Sequence, residues 1–228
     1  ERQENRSEFQ RDYDRLIFSA PFRRLQNKTQ VFPLPGSVFV HNRLTHSLEV
    51  ASVGRSLGDD VAKALLERHP ELQDSFLPEI GSIVSAACLA HDLGNPPFGH
   101  SGEKAISTFF SEGKGVRLKE KQPNGEQLSP MEWEDLTHFE GNANAFRILT
   151  HQFEGRRKGG FVLTYTTLAS IVKYPFSSSL AGTKSKFGFF VSEEESFQKI
   201  ATELGLTLLN EHPLKYARHP LVYLVEAA

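Results

Sequence analysis

The chain has 228 residues, 39% hydrophobic and 24% charged, which suits a globular protein with one large domain, or two small ones, and a substantial core. A formal net charge of −2 excludes a general basic footprint for nucleic acid and leaves only local patches. The single cysteine, Cys88, excludes a disulfide framework and points to a reducing compartment, and no apolar run approaches the ~20 residues of a membrane-spanning helix.

In chain order, residues 7–26 read as a helix, a break near Pro21 and a further turn. Residues 29–40 are β-rich with Pro33, Pro35 and Gly36 and predict a short hairpin. Residues 43–68 predict a long helix in which His46, Val50, Val53, Leu57 and Val61 form an apolar stripe, so that His46 faces the core. A second helix is expected over 79–92, with Ile80, Ile83, Val84, Ala87 and Cys88 on a buried face that His91 continues. Gly94, Pro96 and Pro97 break it, and a further helix follows over 99–111. Residues 113–135 are polar and predict a long mobile excursion. Helices resume over 138–153 and 164–173, the latter ended by Pro175. A loop is expected over 175–190, and Ser192 with Glu195 reads as a capping box for a helix over 193–204. Residues 213–228 predict a last helix that begins near His219 and Pro220. The pattern shows no internal repeat or clear linker and predicts one mostly α-helical domain. The chain starts at Glu1 and stops at Ala228 within an apolar run, and is expected to be part of something longer.

Chemistry concentrates in 83–103. His46 and the adjacent His91 and Asp92 supply two imidazoles and a carboxylate, a set that suits a divalent ion such as Mg²⁺, Mn²⁺ or a transition metal. Adjacent side chains on a helix point about 100° apart, so both reach one ion only near a helix end, which Gly94 supplies. The competing reading is a satisfied core histidine beside a capping aspartate; two histidines aimed at the core favour the metal. His100 and Glu103 lie three apart on one face of the next helix, a histidine with a carboxylate to orient it for acid–base work. An exposed helix-start pair favoured by the helix dipole is the bland alternative.

Arg43-Leu44-Thr45-His46-Ser47 and the run from His91-Asp92-Leu93-Gly94-Asn95 to Gly99-His100-Ser101-Gly102-Glu103 resemble the HD-domain phosphohydrolases. Within them the chain is similar to the dGTPase-like deoxynucleoside triphosphate triphosphohydrolases. The same resemblance is carried by Arg11-Asp12-Tyr13-Asp14-Arg15, by Phe22 to Gln26, by Thr29 to Phe32, by Thr137 to Ala143 and by Lys173-Tyr174-Pro175. It implies an all-α HD-domain helical bundle with small β insertions, a single phosphohydrolase domain over 1–228, and cleavage of a dNTP, dGTP first, to deoxynucleoside and tripolyphosphate.

The resemblance makes His46, His91 and Asp92 three of four metal ligands, and His100 the proton-transfer residue oriented by Glu103. The family's fourth ligand is an aspartate in a Glu-Ala-Ala-Asp-Asp stretch, whereas this chain reads Glu226-Ala227-Ala228 and stops. By the same resemblance Gln30 reads the sugar 3′-hydroxyl, Arg43 and His138 contact phosphates, and Lys173, Tyr174 and Asn95 join the substrate site. It further implies a homo-oligomer, hexameric in many members, with an effector nucleotide or single-stranded DNA as further partners; with the single cysteine and the short apolar runs, a cytoplasmic protein with no membrane partner is expected.

Two rivals remain. One is another HD phosphohydrolase, a phosphodiesterase or alarmone hydrolase; the other is a non-catalytic nucleotide- or single-stranded-DNA-binding module. Arg23, Arg24 and Lys28, with Arg156, Arg157 and Lys158, would supply the latter's basic patch, against the simpler reading of a solvated face.

Overall fold

A computed structural model describes residues 6–29, 42–120, 125–155, 160–181 and 186–228. Of the hairpin expected over 29–40, everything after Thr29, Gln30 included, lies outside the described residues, as do Arg156, Arg157 and Lys158. The fold is a bundle of helices. In chain order they are α1 (Glu8–Ile17), α2 (Ala20–Arg24), α3 (Arg43–Arg68), α4 (Ile80–Ala90), α5 (His100–Ser111), α6 (Pro130–Thr137), α7 (Gly141–Thr150), α8 (Tyr165–Ile171), α9 (Glu194–Glu203) and α10 (Val222–Ala227).

The bundle is built around α4, which is buried at every position from Ile80 to Ala90. Such a helix must be enclosed on all sides, and α3, α1, α8 and α10 enclose it. Leu89 and Val84 are fully buried there; truncating a leucine in such a site to alanine costs about 2–5 kcal/mol.

The face that α3 turns to α4 corrects the sequence reading. Its buried positions are Arg43, Ser47, Ala51, Gly54, Gly58 and Ala62, whereas Val53 is exposed. From Ser47 on these are small residues at helical spacing, and they let the helix axes approach. A Cβ on Gly58 would lie 2.7 Å from Gly81 Cα, and one on Gly54 2.6 Å from Cys88 Sγ. Hydropathy is blind to such a stripe, since glycine and serine carry no apolar signal.

Three other expectations change. The polar stretch 113–135 does not stay irregular to its end: Ser129 accepts from Glu132 N, Glu132 accepts from Ser129 N, and this capping box starts α6. The box expected at Ser192 is not formed; Ser192 donates to Glu193 instead, and α9 starts without a side-chain cap. The chain before α10 holds a two-stranded antiparallel hairpin, β1 (Leu208–Asn210) with β2 (Lys215–Tyr216), and α10 itself starts later than expected.

The opening motif has a structural use. Asp12 is fully buried and accepts from Thr164 N at 2.9 Å and Thr164 Oγ1 at 2.6 Å. It thereby ties α1 to the N-cap of α8, the helix that leads into Lys173 and Tyr174.

Candidate metal centre and acid–base pair

Asn42 begins the site. Its Oδ1 accepts from Thr45 N at 2.9 Å, and Thr45 Oγ1 accepts from Asn42 N at 3.3 Å, which starts α3 at Arg43. Arg43 and His46, three apart, therefore share a face. From the other side, α4 ends in tight turns. Leu93 N donates to Ala90 O at 3.1 Å and Asn95 N to Asp92 O at 3.2 Å. Gly94 is required there, because a Cβ would come 2.1 Å from both Ala145 N and Gly141 O of α7.

His46, His91 and Asp92 offer donor atoms that all lie within 4.8 Å of one another. The imidazole rings are 5.3 Å apart, and His91 Nε2 is 3.3 Å from Asp92 Oδ1. His91 Nδ1 lies 2.6 Å from Cys88 O. A carbonyl only accepts, so Nδ1 carries the proton and Nε2 keeps its lone pair for the site. Burial drives the His91 pKa down, with Asp92 opposing and His46 and Lys173 adding repulsion. The neutral ring this favours is the form that ligates a metal. Burial pushes the neighbouring Cys88 thiol up to about 12, so no thiolate competes.

Asp92 is 5% exposed and held at both oxygens. Arg43 Nη1 donates to Oδ2 at 2.6 Å and Asn95 Nδ2 donates to Oδ1. Arg43 is itself 4% exposed, so its guanidinium balances a buried carboxylate. Oxygen and nitrogen ligands sit about 2.0–2.2 Å from a divalent ion such as zinc and thus ~3–4 Å from each other, so the trio closes on an ion with small side-chain shifts. The donor set fits a divalent metal.

The second group starts at a turn. Phe98 and Gly99 have φ of 66° and 57°. For phenylalanine this is a strained backbone, held by Phe98 N donating to Thr29 O at 3.0 Å. The turn delivers His100 to the first position of α5, where Nδ1 donates to Glu103 Oε2 at 2.8 Å. The His100 side chain is 84% exposed and that of Glu103 is 12%. Glu103 Oε1 accepts from Gly141 N at 2.9 Å. Lys186 Nζ lies 3.7 Å from Glu103 Oε2 and donates to Glu140 Oε1 at 2.7 Å. Burial lowers the Lys186 pKa, but Glu140 and Glu103 outweigh it, so the net direction is up and the ammonium stays charged. Glu140, 1% exposed, also accepts from Asn142 N at 2.7 Å and caps α7.

Gly141 joins the two groups: a Cβ there would fall 2.1 Å from Asn95 Oδ1 and 2.9 Å from Glu103 Oε1. The start of α7 is thus wedged between the residue that steadies Asp92 and the residue that orients His100. The remaining expected residues are distributed around this core. Asn95 is committed to Asp92. Lys173 is near enough for its charge to act on His91 and Cys88. Tyr174 acts on Lys186 and carries Arg218 over its ring at 5.6 Å. His138 caps α6, with Nδ1 3.1 Å from Glu134 O. Lys186, Glu140 and Arg218 escape a reading of the sequence. The nearest signals were the Glu140-Gly141-Asn142 run, whose carboxylate precedes a helix, and the lysines of the 175–190 loop.

The HD domain model matches residues 43–161, a span that opens at Arg43 and takes in the metal trio, the His100–Glu103 pair and Gly141. The chain belongs to the HD-domain family. It is 48% identical over 98% of its length to a "deoxyguanosinetriphosphate triphosphohydrolase-like protein" of Pseudomonas aeruginosa, and covers 49% of that relative. A relative of the same name from Synechocystis is 45% identical over the whole chain, which covers 53% of it. The Yersinia enterocolitica "deoxyguanosinetriphosphate triphosphohydrolase" is 36% identical over 96% of the chain and is covered to 47%. The HD-domain chain therefore spans about half the length of the curated relatives it matches. Among the described residues, no helix is long and apolar enough to cross a membrane.

Proposed function

We propose that this HD domain carries the metal centre and the acid–base pair of a dNTP triphosphohydrolase that releases deoxynucleoside and tripolyphosphate, with dGTP the first substrate to test. The observation that carries the reading is the convergence of His46, His91 and Asp92 within 4.8 Å, with the oriented His100–Glu103 pair across Gly141 from them. The names of the relatives support the substrate class.

His46, His91 and Asp92 would hold a divalent ion, with the family's further aspartate as a fourth ligand. When bound, such an ion neutralises phosphate charge and makes water more acidic. Arg43 and Asn95 keep the Asp92 carboxylate aimed at the centre. His100 has Nδ1 occupied by Glu103, which leaves Nε2 free for proton transfer. As water adds to the α-phosphorus, the bond to the nucleoside 5′-oxygen breaks and that oxygen leaves with a proton. In this reading His100 Nε2 would move these protons. Lys173 and Lys186, with Tyr174 beside Lys186, border the two groups as cationic and hydroxyl contacts for a polyanionic chain. Gln30 and His138 complete the proposed substrate contacts, on the resemblance alone. A cytoplasmic homo-oligomer responsive to nucleotide or single-stranded DNA belongs to the same reading.

The deciding experiment supplies each dNTP with Mn²⁺ or Mg²⁺ and separates products by ion exchange. Deoxynucleoside plus tripolyphosphate is expected. Monophosphate plus pyrophosphate would replace the reading with another HD phosphohydrolase, and bound nucleotide without turnover would replace it with a binding module.

A further inference from the structure

Lys28 belongs to neither group of the site, yet it touches both elements that bring the metal trio together. Its carbonyl accepts from Arg43 N at 3.2 Å, at the first residue of α3. Its ammonium donates to Asn95 O at 3.1 Å and to Leu93 O at 3.4 Å, in the turn that follows Asp92. The next residue, Thr29, accepts from Phe98 N at 3.0 Å in the same turn. Among the described residues, the ammonium's hydrogen-bond partners are these two carbonyls and not a carboxylate.

A lysine on a basic surface patch keeps its head in water. This one is half-buried, and it places its charge on carbonyls just past the C-terminal end of α4, where free carbonyls and the helix dipole favour a cation. Two carbonyls of one short turn are thus gathered on a single donor whose own backbone fixes the start of α3.

We propose that Lys28 is a positioning residue for the metal centre: it holds the start of α3, and with it His46, in register with the turn that carries His91 and Asp92. Its ammonium is committed to backbone carbonyls, although Arg24 lies near enough for its charge to act on it. The inference rests on the trio being a metal centre.

The test compares Lys28→Met, which keeps the aliphatic stem and loses the donors, with Lys28→Arg, which can serve both carbonyls. Two readouts are taken: Mn²⁺ affinity by titration calorimetry, and amide exchange at Asn95 and Phe98 in the metal-free protein. Lys28→Met is expected to weaken Mn²⁺ binding by about 10–100-fold, the range for groups that orient ligands from outside the coordination sphere. It should also speed exchange at Asn95 and Phe98 while the α4 amides stay protected. Lys28→Arg should return both readouts to within a few-fold of wild type. Unchanged affinity and exchange in Lys28→Met overturn the proposal, and so does loss of protection throughout α4, which would mark a general stability role. If wild type and His91→Ala alike bind no Mn²⁺, the metal reading falls instead, and the exchange data alone decide whether Lys28 fixes the turn.

Discussion

At the end of α4, Asp92 is 5% exposed and meets Arg43, Asn95 and the ring of His91; a few residues on, the side chain of His100 is 84% exposed and is steered by Glu103. The first region is set by burial. Helices α3 and α4 approach through small residues, and the trio sits where they close. The second is set by a strained turn and a helix start, and its rigidity comes from behind, where Glu103 reaches Gly141 and Lys186. The difference matches two tasks. A metal centre needs fixed donors at fixed distances, whereas a proton-transfer group needs access to the substrate and one steered tautomer.

The largest effects should divide along this line. His91→Ala removes a proposed ligand from the His46–His91–Asp92 trio and is expected to abolish Mn²⁺ binding and turnover together; full activity in this variant would sink the metal assignment. His100→Ala touches only the exposed group. Metal affinity should match wild type while kcat falls by about 10²–10⁴-fold, the usual contribution of a general acid or base. An unchanged kcat would remove His100 from the chemistry, and a loss of metal would show that the two groups are not separable.

Gly141→Ala is the variant expected to hurt both at once. The added methyl must displace Asn95, which steadies Asp92, and crowd Glu103, which orients His100. Mn²⁺ affinity and kcat at saturating metal should each fall by about tenfold, as displacements of supporting groups do. A loss confined to one readout would place the wedge on that side only.

The division also explains what the sequence made legible. The apolar run and the breakers mark α4 closely, since Gly94, Pro96 and Pro97 are local signals. His46, His91, Asp92, His100 and Glu103 stand in motifs whose spacing is contiguous or helical. The face of α3 was assigned to Val53 and its neighbours because the actual contact uses Gly54 and Gly58, which advertise themselves only through the partner helix. Lys186 and Glu140 are far from His100 in sequence, and Lys186 meets Glu103 and Glu140 only after the chain has folded. Arg43 was expected on phosphate; that its guanidinium balances Asp92 depends on burial, which no motif displays.

The smallest effect concerns the support behind the exposed group. Asp135 on α6 accepts from Val191 N at 2.7 Å and so anchors the segment that carries Lys186, while its Oδ1 is buried without a partner among the described residues. Burial, with repulsion from Glu193 and Glu132, outweighs the bonds from Ser178 and Val191 and raises its pKa from 3.8 to about 6. The folded state therefore binds this proton more tightly than the unfolded state does, and the stability of the native protein falls as pH rises from about 4 to about 6. Asp135→Asn keeps an acceptor for Val191 without the charge. At about 1.4 kcal/mol per pKa unit, it should gain about 2–3 kcal/mol at pH 7, with the gain fading toward pH 4. Thermal melts at the two pH values check this. A variant less stable at pH 7, or one whose gain ignores pH, would show that Asp135 is paired and charged in the folded protein. Mn²⁺ affinity should not move, because α6 supports the exposed group and leaves the α3–α4 contact untouched.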